Sequence, residues 1–205
     1  MTMSPRADDI LEFWFGDSAS EDQAIGARMP LWFGSDPDTD LAIRTQFSDD
    51  VEKAASGQFD AWSASPRRTL ALIILLDQFP RSLGRGTPAA FAHDARALSL
   101  CMAGIESADQ EALADIEQVF FMMPLQHAES LAVQETSVRQ FEALLARIPG
   151  KRRQHFRGFV KYAHMHCEIV RQFGRFPHRN AILGRTSTHE ERKYLAGDAP
   201  RFGQR

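Results

Sequence analysis

The chain has 205 residues, 43% of them hydrophobic, and a formal net charge of −3, which suits one large domain or two small ones with a proper core. Its longest unbroken apolar run, Leu70 to Leu76, is far too short for a membrane span, and the N-terminal MTMSPRADDI has no signal-peptide core, so a cytoplasmic protein with no membrane association is expected. The two cysteines, Cys101 and Cys167, fall in helical patterns and read as reduced, buried thiols rather than a disulfide.

Taken in order, Asp8 or Asp9 caps a short helix, ILEFWF, ended by Gly16, and a polar loop runs on to about Pro37. A helix from about Thr39 to Ser56 puts Ile43, Phe47, Val51 and Ala54 on one face, with Gly57 as its stop. Phe59 and Trp62 lie on a turn. Ser65-Pro66 then opens the central helix, because proline at the first helical position needs no N–H partner. Leu70 to Leu76 has no polar face, and a helix that is apolar all round is buried on all sides. The helix delivers Asp77 and Gln78, Pro80 is expected to stop it, and a basic loop with Arg81 and Arg85 follows.

Thr87-Pro88 opens a helix to Met102, with Gly104 beyond it. Ser107 and Gln110 make a capping box for a helix that Pro124 closes. Two further helices are expected over about 127–147 and 152–173, the second ended by Gly174. A basic irregular stretch, Arg175 to Arg185, leads to a second box, Ser187 with Glu190, and a last helix ending near Ala196. No segment reads as a strand. The expectation is a single all-α domain over 1–205, of about eight or nine antiparallel helices.

Charge is uneven. Residues 1–60 hold 13 Asp/Glu against 4 Lys/Arg, a net of −9, while residues 147–185 hold 10 Lys/Arg against the single acid Glu168, a net of +9. Either the two regions complement each other across the fold or the basic one faces an anion.

Asp77 follows a buried run at a helix end where the dipole disfavours a carboxylate, so it needs a cation, and Arg81 lies four residues on. An internal echo adds to this: Phe79-Pro80-Arg81 before Leu83-Gly84-Arg85, and Phe176-Pro177-His178-Arg179 before Leu183-Gly184-Arg185. These read as two similar corners lying close together. Arg81, Arg85, Arg175, Arg179 and Arg185 outnumber the carboxylates at hand, Asp77 and Glu129, so a phosphate- or carboxylate-bearing anion is expected between them. His164 is expected at the surface, paired with Glu168, and His166 on the core face. Glu129, placed by this reading in the first turn of its helix with His127, suits the positive end. His127, Glu129, His166 and His178 carry no metal-ligand motif of known spacing, and no phosphate loop or dinucleotide fingerprint occurs, so no metal or cofactor is expected.

The strings LDQFPRSLGRGTPAAFAHDARAL, PLQHAESLAVQ and HCEIVRQFGRFPHRNAILGRTSTHEE, with FWFG at 13–16 and the region Gly57 to Trp62, resemble the bacterial family called domain of unknown function 924 over nearly the whole chain. Gln172 stands where that signature usually has a basic residue. The resemblance implies a tetratricopeptide-like helical fold and no known activity. The signature positions it implies are Asp77, Gln78, Arg81, His127, Glu129, His166, Arg175, His178, Arg179 and Arg185.

Two uses compete. One is binding of, or action on, a small anionic ligand, with Asp77, His127 and His166 as acid/base candidates. Gln78, Arg81, Arg85, Glu129, Arg175, His178, Arg179 and Arg185 would be its contacts. The alternative is a helical adaptor for a peptide or protein. RNA binding ranks last, because the basic residues lack interleaved aromatics. Convergence of the polar residues in a closed pocket would favour the first use, and an open groove of exposed side chains the second.

Overall fold

The fold is built around one helical rod. A computed structural model describes residues 5–16 and 22–203, so the part of the expected first loop at 17–21 lies outside the described residues. Helix α4, Pro66–Ile73, runs into a π-helical turn, Ile74–Gln78, and straight on into α5, Phe79–Leu83. Every residue from Leu70 to Leu76 is 0% exposed. The reason is visible in the packing: α1 (Pro5–Phe15), α3 (Pro37–Ala55), α6 (Asp94–Glu106) and α7 (Asp115–His127) surround the rod. An apolar-all-round segment forms a stable helix only when neighbours cover each face.

Pro80 does not stop this helix. In a regular helix its missing N–H would leave the carbonyl four residues back without a donor. Here the ladder has already widened, with Phe79 N–H donating to Ile74 O, and a π turn absorbs such a break without ending the helix.

The expected loop before Pro37 contains a helix, α2, Asp22–Phe33. Pro30 and the nearby Gly26 and Gly34 disguise it, and packing overrides them: Ile25 and Trp32 are buried, and Trp32 Nε1 donates to Trp14 O at 2.9 Å. Helix α1 starts at Pro5, a turn before the expected cap. Asp36 caps α3, accepting from the Asp38 and Thr39 amides.

Other boundaries move for similar reasons. Thr87-Pro88 opens only a 3₁₀ turn, Pro88–Phe91, and α6 begins at Asp94. Gly104 lies inside α6, where a Cβ would fall 2.3 Å from the Phe121 ring. Ser107 ends α6 instead of capping the next helix, and α7 opens with the Glu117 side chain accepting from Ala114 N–H at 3.0 Å. Pro124 sits inside α7, which runs on to His127. Helix α8, Leu131–Arg147, therefore starts four residues later than expected, and Glu129 lies in the connection. Helix α9, Arg153–Phe173, ends at Gly174 with φ +71. The last box is Thr188 with Glu191, one residue on from the expected pair, and opens α10, His189–Leu195.

Helices α7, α8 and α9 pack in succession through short connections, as antiparallel neighbours do. The fold is all-α, with no strand among the described residues. No helix among them is long and apolar enough to cross a membrane. Cys101 and Cys167 are both buried and free.

Candidate functional site

The rod ends in a buried carboxylate. Asp77 is 0% exposed, and Oδ1 accepts from Arg81 Nη2 at 3.0 Å, one turn further on. The same oxygen lies 2.7 Å from His127 Nδ1 at the end of α7, and Oδ2 accepts from the Gln78 amide. The expected Asp77–Arg81 pair is present, and His127 joins it.

Burial pulls the Asp77 carboxyl upward, but the charges and hydrogen bonds of His127 and Arg81 outweigh it and hold the group below the usual carboxylate range. His127 is shifted down, first by burial and then by Arg81, against the pull of Asp77. An ionised carboxylate only accepts, so the proton of the neutral ring is on Nδ1 and Nε2 carries the lone pair. His166 has the same tautomer for a different reason. Its Nδ1 meets the Tyr162 carbonyl at 2.8 Å, and burial followed by His127 pushes it down to about 3. The two rings are 6.4 Å apart. His164 is exposed as expected but pairs with Glu142 at 2.9 Å, because Glu168 is taken by Arg171.

The two echoed corners meet through Asp94. Its Oδ1 accepts from Arg81 Nη2 at 2.8 Å and its Oδ2 from Arg179 Nη1 at 3.2 Å. Both guanidiniums lie over the Phe91 ring, at 5.6 and 4.5 Å. The Leu-Gly-Arg arms then diverge. Arg85 forks onto Asp40 at 3.0 and 2.8 Å. Arg185 forks onto Glu129 at 2.5 and 2.9 Å, and Glu129 also accepts from Phe176 N–H at 2.8 Å. Arg175 forks onto Glu191 at 2.7 and 2.9 Å. The expected excess of positive charge at the corners is therefore corrected: Asp40, Asp94 and Glu191, unremarkable in sequence, supply the missing partners. The basic stretch 147–185 also bonds largely within its own half, Arg152 to Asp115 and Arg171 to Glu135 and Glu168.

Beside the Asp77–His127–Arg81 group lies a cavity of about 440 Å³. Its floor is buried: Trp14, Trp32, Gln78, Met123, Gln126, Phe159 and His166. Its rim is exposed: Phe33, Gly34, Gly158, Tyr162 and Gly203. Arg81, Arg85, His127 and His155 complete the polar lining, which holds two arginines and three histidines and, among the described residues, no carboxylate. Asp77, Asp94 and Asp40 stand behind it. In the floor, Trp14 Nε1 and Gln126 Nε2 have no hydrogen-bond partner among the described residues. The segment 200–203 roofs one side, where Phe202 stacks on His166 at 4.2 Å and Arg85 Nη1 donates to Gly203 O at 2.9 Å.

Of the candidates from sequence, Gln78, Arg81, Arg85, His127 and His166 line this cavity and Asp77 lies directly behind it. Glu129, Arg175, Arg179 and Arg185 do not line it; each is committed to the corner ion pairs above. His178 is also outside the lining, its ring 5.1 Å from Phe202, with burial and then Arg179 pushing it down to about 3. Sequence reasoning missed the aromatic walls, Trp32, Phe33, Phe159 and Tyr162, and the donor Gln126. One signal was available: His155, Tyr162 and His166 recur at helical spacing along α9. Among the described residues, no group of three or more His, Cys, Asp or Glu could hold a metal ion.

The family model described as a bacterial protein of unknown function (DUF924) matches residues 10–199. Among solved structures, a protein of unknown function from Agrobacterium tumefaciens, ATU0120, is similar at 35% identity, with a TM-score of 0.77 and coverage of 93% of this chain and 97% of that one. Comparison with curated proteins finds no match.

Proposed function

The chain belongs to the bacterial family of unknown function DUF924, and for it we propose binding of a small carboxylate with an apolar body in the cavity beside His127. The observation that carries this reading is the lining itself. Its charged residues are all cationic, its histidines are neutral, and the rest is mostly aromatic and aliphatic. Such a wall favours a single negative head and an apolar remainder, as ligand pockets of this size generally do. The anion expected from sequence is thereby moved from between the corners to the cavity, where the arginines come from residues 81–85 alone.

His127 is then the group positioned to take a proton from a bound ligand. Asp77 holds its Nδ1 and would stabilise the imidazolium that forms. The adaptor alternative would place these polar side chains on an exposed groove, whereas Asp77, Gln78 and His166 are buried.

Thermal-shift titration tests the reading. Butanoate, hexanoate and phenylacetate are expected to raise the melting temperature with concentration by ligand linkage. Their primary amides should raise it less, and Arg85→Gln should reduce the carboxylate effect. Amides equal to the acids, or phosphate equal to hexanoate, would remove the proposed head or body respectively. No response to any carboxylate would overturn the reading whole.

A further inference from the structure

We propose that Gly158 sets the length of ligand the cavity accepts, leaving a gap through which the apolar body extends from the His127 end, over α9, between Phe33 and Tyr162. The inference rests on the carboxylate reading above and names its ligand class: an extended chain rather than a short acid.

Helix α9 faces the cavity with one stripe, His155, Gly158, Tyr162 and His166, spaced three, four and four residues apart. Three of these four positions carry a ring. The fourth carries no side chain at all. Glycine inside a helix is destabilising relative to alanine, because it loses more backbone freedom on folding. A glycine in such a place therefore calls for a local reason, and two are common: a backbone conformation that other residues resist, or a neighbour pressed against the Cα.

The other rim glycines have such reasons. Gly203 has φ +75, and a Cβ at Gly34 would fall 2.2 Å from Pro30 O. Gly104, within α6, is pressed by Phe121. Gly158 has neither. It is helical, and a Cβ built on it would meet nothing within 4 Å. What lies in front of it is the open part of the cavity. A side chain there would occupy that space without disturbing any neighbour.

The residues flanking the gap fit an apolar occupant. Phe33 and Tyr162 are large, and both are about half exposed, at 49% and 50%. Phe33 is backed by Phe159 at 6.0 Å and stacked on Phe120 at 6.2 Å. An apolar chain passing over Gly158 would cover these two rings, which nothing in the fold covers. The head would remain at the arginine and histidine end.

The test is a ladder of alkanoates, butanoate through decanoate, read by thermal shift and by isothermal titration, on wild type, Gly158→Ala and Gly158→Leu. In wild type the affinity is expected to rise with chain length. In Gly158→Leu butanoate should bind as in wild type, while decanoate weakens by about tenfold or more. Gly158→Ala should melt higher than wild type without ligand, through helix propensity alone, and should weaken decanoate by a smaller factor. If Gly158→Leu fails to fold by circular dichroism, Gly158→Ala decides the matter. Decanoate binding unchanged in a folded variant, with wild type responding to the ladder, would overturn the role of Gly158 and leave the carboxylate site standing. Wild type indifferent to every alkanoate would overturn both.

Discussion

Acid should destabilise this protein well before its carboxylates titrate. His166 and His178 are both pushed down to about 3 by burial, with nearby cationic or histidine groups acting in the same direction. In the unfolded chain each titrates near about 6.5. Between those values the unfolded state binds protons that the folded state does not, so stability falls as pH falls and is level above the unfolded value. At pH 5 each histidine costs about 2 kcal/mol, and any folded value below about 4 gives the same loss. His127 shifts in the same direction and adds to it. Two such residues amount to about 4 kcal/mol, a large part of the 5–15 kcal/mol typical of a domain. For a chain of this size that is a drop of about ten degrees in melting temperature. Calorimetry in buffers from about pH 7.5 to 5 measures it, and His166→Asn should remove close to half of the slope. A melting temperature level across that range would refute the reasoning, since it would mean that the buried rings accept protons in the folded state.

Three further outcomes follow from packing. Leu75→Ala, at the fully buried centre of the rod, should cost about 2–5 kcal/mol in urea denaturation; a cost near zero would mean that the rod is not the core. Gly104→Ala should cost about 1–3 kcal/mol, because the new methyl meets the Phe121 ring, and an unchanged midpoint would show that the ring swings clear at no cost. Glu129→Gln keeps the shape but removes the charge that Arg185 and the Phe176 amide share. A loss of about 2 kcal/mol is expected, with faster amide exchange at Phe176; unaltered exchange would contradict the role given to Glu129.

The rod and the Asp77–Arg81 pair could be read from the chain because each depends on near neighbours. Seven apolar residues in a row have one stable destination, and a buried carboxylate takes the nearest cation. What could not be read depended on partners distant in sequence. Asp94 joins Arg81 to Arg179, 85 residues apart from the latter, and nothing around Asp94 marks it. The same blindness made the arginines look unbalanced. Helix α2 was hidden because Pro30, Gly26 and Gly34 argue locally for a loop, while Trp32 gains more by burial than the helix loses. Pro80 and Pro124 were taken for stops because proline is judged one position at a time, and both lie in helices that tertiary packing holds together. The cavity walls come from α2, α5, α7 and α9, and no local pattern assembles those four.

The π turn at Ile74–Gln78 makes the site separable from the fold by a single codon. Removing one residue from Ile74, Leu75 or Leu76 would let the ladder close into an ordinary α-helix. All that follows would then turn by about 100° relative to Pro66–Ile73. A shortened rod is still apolar and can still be surrounded, but Asp77 would swing from beneath His127 and lose its shared contact. The feature that lets a helix pass through Pro80 is thus also the one that aims its carboxylate. A one-residue deletion there is the smallest change that would leave a helical protein with no charge partner for the histidine at the end of α7.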